Sequence, residues 1–335
     1  MAVSPTHDPH WQWWTDMGEA LSLEQASNLA RLLSAGHFVV TAELSPPRCA
    51  QLTSVEREIE ILRDHVDAAN VTDNQTANVR MSSIAVSILL AQRGLEPVMQ
   101  VTCRDRNRLA IQADLLGASA WGIRNLLCLS GDHGKWGDHP AALNVYDMDS
   151  IHLLRMVRNM VENGCYENGR PIPSPPPHLY IGAAANPFAP PYEYRPMRLA
   201  KKVAAGAHFI QTQIIYNVAR FEEYMAQVCD LGLYERVHIL VGVGPIKSAG
   251  AARFMAERVA GMDVPQAIVQ RMAKTPKAAQ PAEGIEICIE ILEQVRQIEG
   301  VAGVHVMAIQ WPEAVPEIVE RSGLWPRPFL DSIVP

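Results

Sequence analysis

No apolar run in this chain approaches the roughly 18 consecutive residues that would cross a bilayer, so no membrane-spanning helix is expected. Cysteine is sparse and scattered, at Cys49, Cys103, Cys128, Cys165, Cys229 and Cys288, with no Cys-x-x-Cys pair. In a chain of 335 residues this excludes a disulfide framework and a standard zinc site, and it fits a reducing, cytoplasmic setting. Positive charge is not in excess: 29 Lys and Arg against 36 Asp and Glu leave a net charge of −7. A nucleic-acid or anionic-membrane surface is therefore not expected. The amino-terminal stretch MAVSPTHDPHWQWWTDMG has no basic segment followed by an apolar one, so no secretory signal is read there either.

The chain does have apolar residues in quantity, at 48%, enough for a large core. At this length two domains or one α/β barrel are both possible. Short β-rich runs alternate with longer helical patterns. The strand candidates are HFVVTAEL (37–44), DAANVT (67–72), PVMQVT (97–102), NLLCLS (125–130), HLYIGAAA (178–185), HFIQTQII (208–215), HILVGVG (238–244) and VHVMAIQ (304–310). Helical spacing recurs between them at 79–93, 107–121, 149–163, 196–205, 218–231 and 281–298, with Leu109, Ala113, Leu116 and Ala120 expected to form one apolar stripe. Eight strands each followed by a helix predict an α/β fold, a single (β/α)8 TIM barrel; a doubly wound open sheet is the competing architecture. The expected division is an N-terminal helical extension at 1–36, the barrel at 37–310 and a C-terminal tail at 311–335 packed on it. Trp11, Trp13 and Trp14 fit an amphipathic helix packed on the barrel or on a partner chain.

In such a barrel chemistry collects at the C-terminal ends of the strands. Strand by strand the chain delivers there Glu43; Thr72, Asp73 and Asn74; Thr102, Cys103, Arg104 and Asp105; Ser130, Gly131, Asp132 and His133; Asn186; Thr212 and Gln213; GVGPIKS; and Gln310 with Trp311. Glu43 ends an apolar strand and precedes a Pro pair that sets the following turn. Burial there would raise its pKa and suit a general acid, whereas a surface or helix-capping Glu is the plain alternative. Asp132 follows Gly131, whose missing Cβ allows a ligand close, though an Asp satisfying its own turn would look the same. His133 and His139 match no standard ligand spacing, so no metal site is expected. GVGPIKSAG lacks the final Gly of a dinucleotide fingerprint and reads as a tight turn. Arg104, Arg106 and Arg108 fit the phosphates of a small cofactor better than nucleic acid, because no aromatics are interleaved with them.

The stretches NVTDNQTANVRMSS, VTCRDRNRLAIQADLLGASAWGIRNLLCLSGD, NVYDMDSI and RLAKKVAAGAHFIQTQ resemble the methylenetetrahydrofolate reductase family, in order, from about Phe38 to Met307. The resemblance implies a (β/α)8 barrel with bound FAD and matches the short, catalytic-domain form. It implies Glu43 as the general acid, Asp132 beside flavin and pterin, and Gln213 as a folate contact. It places Thr72, Gln100, Thr102, Ser130, Gly131, Asp132, Tyr146, Asp147, Asn186 and Lys202 at or near FAD-contact positions. Arg104, Asp105, Arg106 and Asn107 match a motif of one branch of the family, and Lys202 or one of those Arg is expected at the FAD diphosphate.

The implied reaction is a hydride relay. Reduced nicotinamide, NADH or NADPH, reduces the flavin. The 5,10-methylene folate, opened by protonation at N10, then takes the hydride to give 5-methyltetrahydrofolate, or the reverse. The chain departs from the family pattern at Leu44 and Ser45, at Ile214, Ile215, Tyr216 and Asn217, and at Ala249. Those positions shape the space over the flavin, so the electron source stays open: NADH, NADPH, or an electron-delivering partner subunit in a larger one-carbon complex, for which this chain would be the folate- and flavin-binding part. The resemblance also implies a homo-oligomer.

Overall fold

The computed structural model describes residues 27–328, and the tryptophans at 11, 13 and 14 lie outside them. Eight parallel strands close in sequence order: β1 (Val39–Leu44), β2 (Ala68–Val71), β3 (Pro97–Thr102), β4 (Asn125–Leu129), β5 (Tyr180–Ala185), β6 (Phe209–Ile214), β7 (His238–Val243) and β8 (Val301–Val306). The barrel is the predicted one, and β8 pairs with β1 to seal it. Around it lie α1 (Asn28–Ser34), α2 (Thr53–Leu62), α3 (Ser83–Gln92), α4 (Arg108–Ala120), α5 (Ser150–Glu162), α6 (Arg195–Ala204), α7 (Val218–Asp230), α8 (Ala249–Arg258), α9 (Gln266–Lys274), α10 (Gln280–Val295) and α11 (Ala314–Arg321).

Helix starts follow local chemistry. Ser27, Asn107, Asp149, Asn217 and Ser248 each turn a side-chain oxygen onto a backbone N–H in the first turn of α1, α4, α5, α7 and α8. Two expectations need correction. The buried stripe of α4 is Ile111, Leu115 and Ala118, whereas Leu109 is 75% exposed and Ala113 and Ala120 face water. A strand also begins earlier than expected at the end of the chain. β8 starts at Val301 and stops at Val306, and Gln310 (φ 52°) and Trp311 follow in the loop beyond it.

Strand residues alternate between the helix layer and the barrel interior. Val40, Ala42 and Leu44 join the large outer core, while Val39 packs inward with Ala68, Val98, Leu127, Tyr180, Phe209 and Leu240. That inner layer fills the N-terminal end of the barrel, and α1 closes it with Leu29, Leu32 and Leu33. Gly182 is required here: a Cβ would stand 2.2 Å from the Phe209 ring. α1 is held in place by Glu96, whose carboxylate accepts from the backbone N–H of Asn28 (2.8 Å) and Leu29 (2.9 Å) and from the Asn125 amide (2.8 Å). The blocked N-terminal end leaves the C-terminal mouth for a ligand.

Candidate functional site

A cavity of about 480 Å³ opens at the C-terminal mouth of the barrel. Of the expected site residues, Glu43, Gln100, Thr102, Arg104, Ser130, Gly131, Asp132, Asn186, Lys202 and Gln213 line it. They come from three strands (β1, β3 and β6), the loops after β3, β4 and β5, and α6, and closure of the barrel brings them together. Glu43 is the one residue of β1 that is not fully buried, and it faces this space. Burial pushes its carboxyl up from 4.5 to about 7, a rise that the positive charge of Arg80 partly offsets. At neutral pH the group is therefore poised between acid and carboxylate.

Thr72, Asp105, Arg106, Asn107, Tyr146 and Asp147 stand behind the lining. Thr72 bonds through its hydroxyl to the Gln75 amide, and Gln75 lines the cavity. Asn107 caps α4, accepting from Ala110 N–H at 3.0 Å. Arg106 bonds to Asp73 and, at 3.1 Å, to Asp114. Asp147 pairs with Arg108 at 2.8 Å, and the bonds from Arg108 hold its carboxyl down at about 2. Tyr146 (φ 37°) donates its hydroxyl proton to the Gly131 carbonyl at 3.3 Å.

Arg104 does line the cavity, yet its guanidinium is already spent. It pairs with Asp105 at 2.7 Å and donates to the carbonyls of Asp132 and Asn74, each at 3.0 Å. It therefore fixes the two loops that carry Asp132 and Asn74. The Arg cluster that suggested phosphate binding is thus internally paired at all three positions.

The loop from Gly131 to Asp147 is seated by further contacts. Gly131 (φ 83°) brings the chain so close to β3 that a Cβ would stand 3.0 Å from Thr102 Cβ. Gly137 rests on the Ala77 carbonyl, where a Cβ would come within 1.8 Å. Asp138 ties the loop to Arg48 at 2.5 Å and to the Val79 N–H at 3.2 Å. His133 accepts from Lys135 N–H and His139 pairs with Asp138. Among the described residues no three His, Cys, Asp or Glu side chains are grouped to hold a metal ion.

The unspent positive charge lies on α6. Arg195, Arg198 and Lys202 recur at helical spacing on one face and all line the cavity. Lys202 is buried, and burial pushes its ammonium down to about 8. Its partner in the described residues is a neutral one, the Ala184 carbonyl. Arg198 has no carboxylate partner among the described residues, and Arg195 donates to the carbonyls of Ala189 and Pro190. A buried cation beside a neutral acceptor favours an anion arriving from outside.

Sequence reading did not single out Arg195, Arg198, Gln211 or His305, all of which line the cavity. For Gln211 the signal was present, since it lies two residues before Gln213 and so on the same face of β6. For Arg195 and Arg198 it was helical spacing from Lys202.

A family model described as methylenetetrahydrofolate reductase matches residues 28–323. The chain is 27% identical over 312 residues to a "Probable methylenetetrahydrofolate reductase (NADPH)" of Caenorhabditis elegans, covering 89% of this chain and 44% of that protein. It is 28% identical over 271 residues to "Methylenetetrahydrofolate reductase 2" of Schizosaccharomyces pombe, covering 76% of this chain and 39% of that one. It thus spans less than half the length of these relatives. Among solved structures, an uncharacterized protein from Clostridium thermocellum that binds two copies of 5-methyl-5,6,7,8-tetrahydrofolic acid aligns with a TM-score of 0.61. That alignment covers 88% of this chain and 98% of the other at 11% identity, a likeness of fold.

Proposed function

The chain belongs to the methylenetetrahydrofolate reductase family, and on that premise we propose that it interconverts 5,10-methylenetetrahydrofolate and 5-methyltetrahydrofolate at the C-terminal mouth of its barrel, with FAD as the resident cofactor. The observation that carries this reading is Glu43, a carboxyl raised to about 7 and facing a cavity whose far wall is cationic.

The residues present fit FAD. Lys202, with Arg198 and Arg195, would hold the anionic diphosphate. Gln100, Thr102, Ser130 and Gly131 offer polar and backbone groups along the cavity lining. When bound, FAD supplies the hydride chemistry, and the protein's share is binding, orientation and proton placement.

Glu43 keeps a proton available near neutral pH for the folate amine nitrogen, which leaves poorly unless protonated. Asp132 and Gln213 present hydrogen-bonding groups at the rim and orient the substrate. Arg104 positions Asp132 by holding its carbonyl. The barrel walls exclude bulk water from the floor of the site, so these few polar groups act in a medium less polar than solvent.

Anaerobic visible spectroscopy tests the proposal. The purified protein, supplied with FAD, is expected to bind flavin, to be bleached by NADH or NADPH and to be reoxidised by 5,10-methylenetetrahydrofolate. Failure to bind FAD overturns the central claim. A flavin indifferent to both nucleotides but bleached by 5-methyltetrahydrofolate places the electron source on a partner protein.

A further inference from the structure

Below Glu43 the barrel interior is polar where an apolar layer would be the default. Thr41 lies two residues before Glu43 on β1 and is in register with His305 on β8. The two meet at 2.9 Å, Thr41 Oγ1 to His305 Nδ1. Thr41 Oγ1 also accepts from Gln211 Nε2 at 3.2 Å. Gln211 is held in turn by Asn70 through two reciprocal amide bonds of 2.6 and 2.9 Å. All four side chains are buried, at 3% exposure or less. They come from four different strands, β1, β2, β6 and β8.

The hydroxyl of Thr41 has one proton to give. It lies 2.9 Å from His305 Nδ1 and 3.4 Å from the Val304 carbonyl, so Nδ1 is the nearer acceptor when that nitrogen carries no proton. The Gln211 N–H occupies a lone pair on the same oxygen. Donation then runs from Gln211 to Thr41 to His305 Nδ1, which leaves the imidazole proton on Nε2. Nε2 has no protein partner among the described residues, and the ring lines the cavity. Nε2 is not among the buried unpaired atoms of the described residues, so it opens onto the cavity and its acceptor belongs to whatever fills that space.

We propose that His305 is a tautomer-fixed, neutral hydrogen-bond donor in the floor of the site, directed at a ring nitrogen or ring carbonyl of the bound heteroaromatic ligand, and that Thr41 and Gln211 are its positioning residues. Burial supports the neutral state, pushing the imidazole down to about 3. The Asn70–Gln211 pair holds the Gln211 amide in place, with its Nε2 side turned to Thr41. The inference deepens the functional reading above, because its ligand is the ring system proposed there.

Two measurements test it, and the first needs no ligand. Protein carrying 15N in its histidine rings is examined by long-range proton–nitrogen NMR at pH 7.5, with His305 assigned by the signals lost in His305→Gln. An Nε2–H tautomer is expected. An Nδ1–H tautomer would mean that the Thr41 proton goes to Val304 and His305 offers only an acceptor, which overturns the proposal.

The second measurement is FAD affinity by fluorescence titration. His305→Leu and Thr41→Val are expected to weaken binding about three- to tenfold, the loss of one donor. His305→Gln, which keeps an N–H at the ε position, and Thr41→Ser are expected to stay near wild type. Equal affinity in all four variants also overturns it. If wild-type protein binds no FAD, the functional reading fails while the tautomer result still judges this one. Should His305→Leu fail to fold, the Gln variant and the tautomer decide alone.

Discussion

In the proposed reaction Glu43 is the proton donor, because its burial raises a carboxyl into the range where it can give and recover a proton at neutral pH. Glu43→Gln is expected to lower folate turnover by about 10²- to 10⁴-fold while leaving FAD binding intact. Turnover close to wild type would remove Glu43 from the role of acid. In the wild type the protonated fraction falls above pH 7, so folate reduction should decline by roughly tenfold per pH unit there. A rate that stays level to pH 9 would contradict that assignment. The same shift bears on stability. The folded-state pKa lies above the unfolded one, so the contribution of Glu43 is most favourable below pH 4.5 and is lost as pH rises to about 7. Glu43→Gln should therefore be the more stable protein at pH 8, by on the order of 1–3 kcal/mol in denaturant titration, and should match wild type at pH 4. At this scale the sequence was a good guide to which residues reach the rim. It was a poor guide to which charges are free there: Arg104, Arg106 and Arg108 each find an Asp, while Lys202 and Arg198 do not. Ion pairing between loops depends on where the loops lie, and residue spacing does not report it.

The strands were legible as elements because β-rich runs punctuated by turns survive in a barrel buried on both faces. β3 falls at Pro97–Thr102 as read, while β8 begins at Val301. The segment Val301-Ala302-Gly303 carries small residues and a weak strand signal, and Gly303 is there because a Cβ would stand 2.4 Å from the Val39 carbonyl. α8 was expected after β7 but its range was not read, since it buries only Ala252 and so has no apolar stripe to see. In α4 the wrong face was chosen. Leu109 and Ala113 are as apolar as the residues that are buried, and only the docking of the helix on the barrel distinguishes them. Gly284 in α10 offers a test where packing overrides propensity. Ala in place of Gly would ordinarily favour a helix by about 1 kcal/mol. Here the added Cβ would stand 1.8 Å from the Ile246 carbonyl, in the loop that follows β7. Gly284→Ala is expected to destabilise by about 1–3 kcal/mol in urea unfolding. A stabilised variant would mean that α10 does not sit against this loop.

At the scale of the molecule the segment after α11 is tied to the barrel by a buried ion pair. Arg327 reaches Asp67 at 2.6 Å and the Phe38 carbonyl at 2.9 Å, while Asp67 also accepts from the Val40 N–H at 2.7 Å. Their side chains are 9% and 1% exposed. Arg327→Ala would leave the Asp67 carboxylate buried without a counter-charge, and a loss of about 3–5 kcal/mol is expected from chemical denaturation. A change below about 1 kcal/mol would show that the tail is not held this way. By itself the sequence determined the alternation of eight strands and helices, the rim residues at the ends of β1 to β6, and Glu43 as a carboxyl at an apolar strand's end. Those follow from local periodicity and from the polarity of parallel strands, both of which are properties of neighbouring residues. Only the tertiary structure decided that Thr41, Asn70, Gln211 and His305 meet in one layer, that the free cations stand on α6, and that the N-terminal end is plugged by α1. Thr41 and His305 are 264 residues apart, and they touch because β8 closes onto β1 in one particular register. Register and closure are set by the whole ring of strands together, so no stretch of sequence contains them.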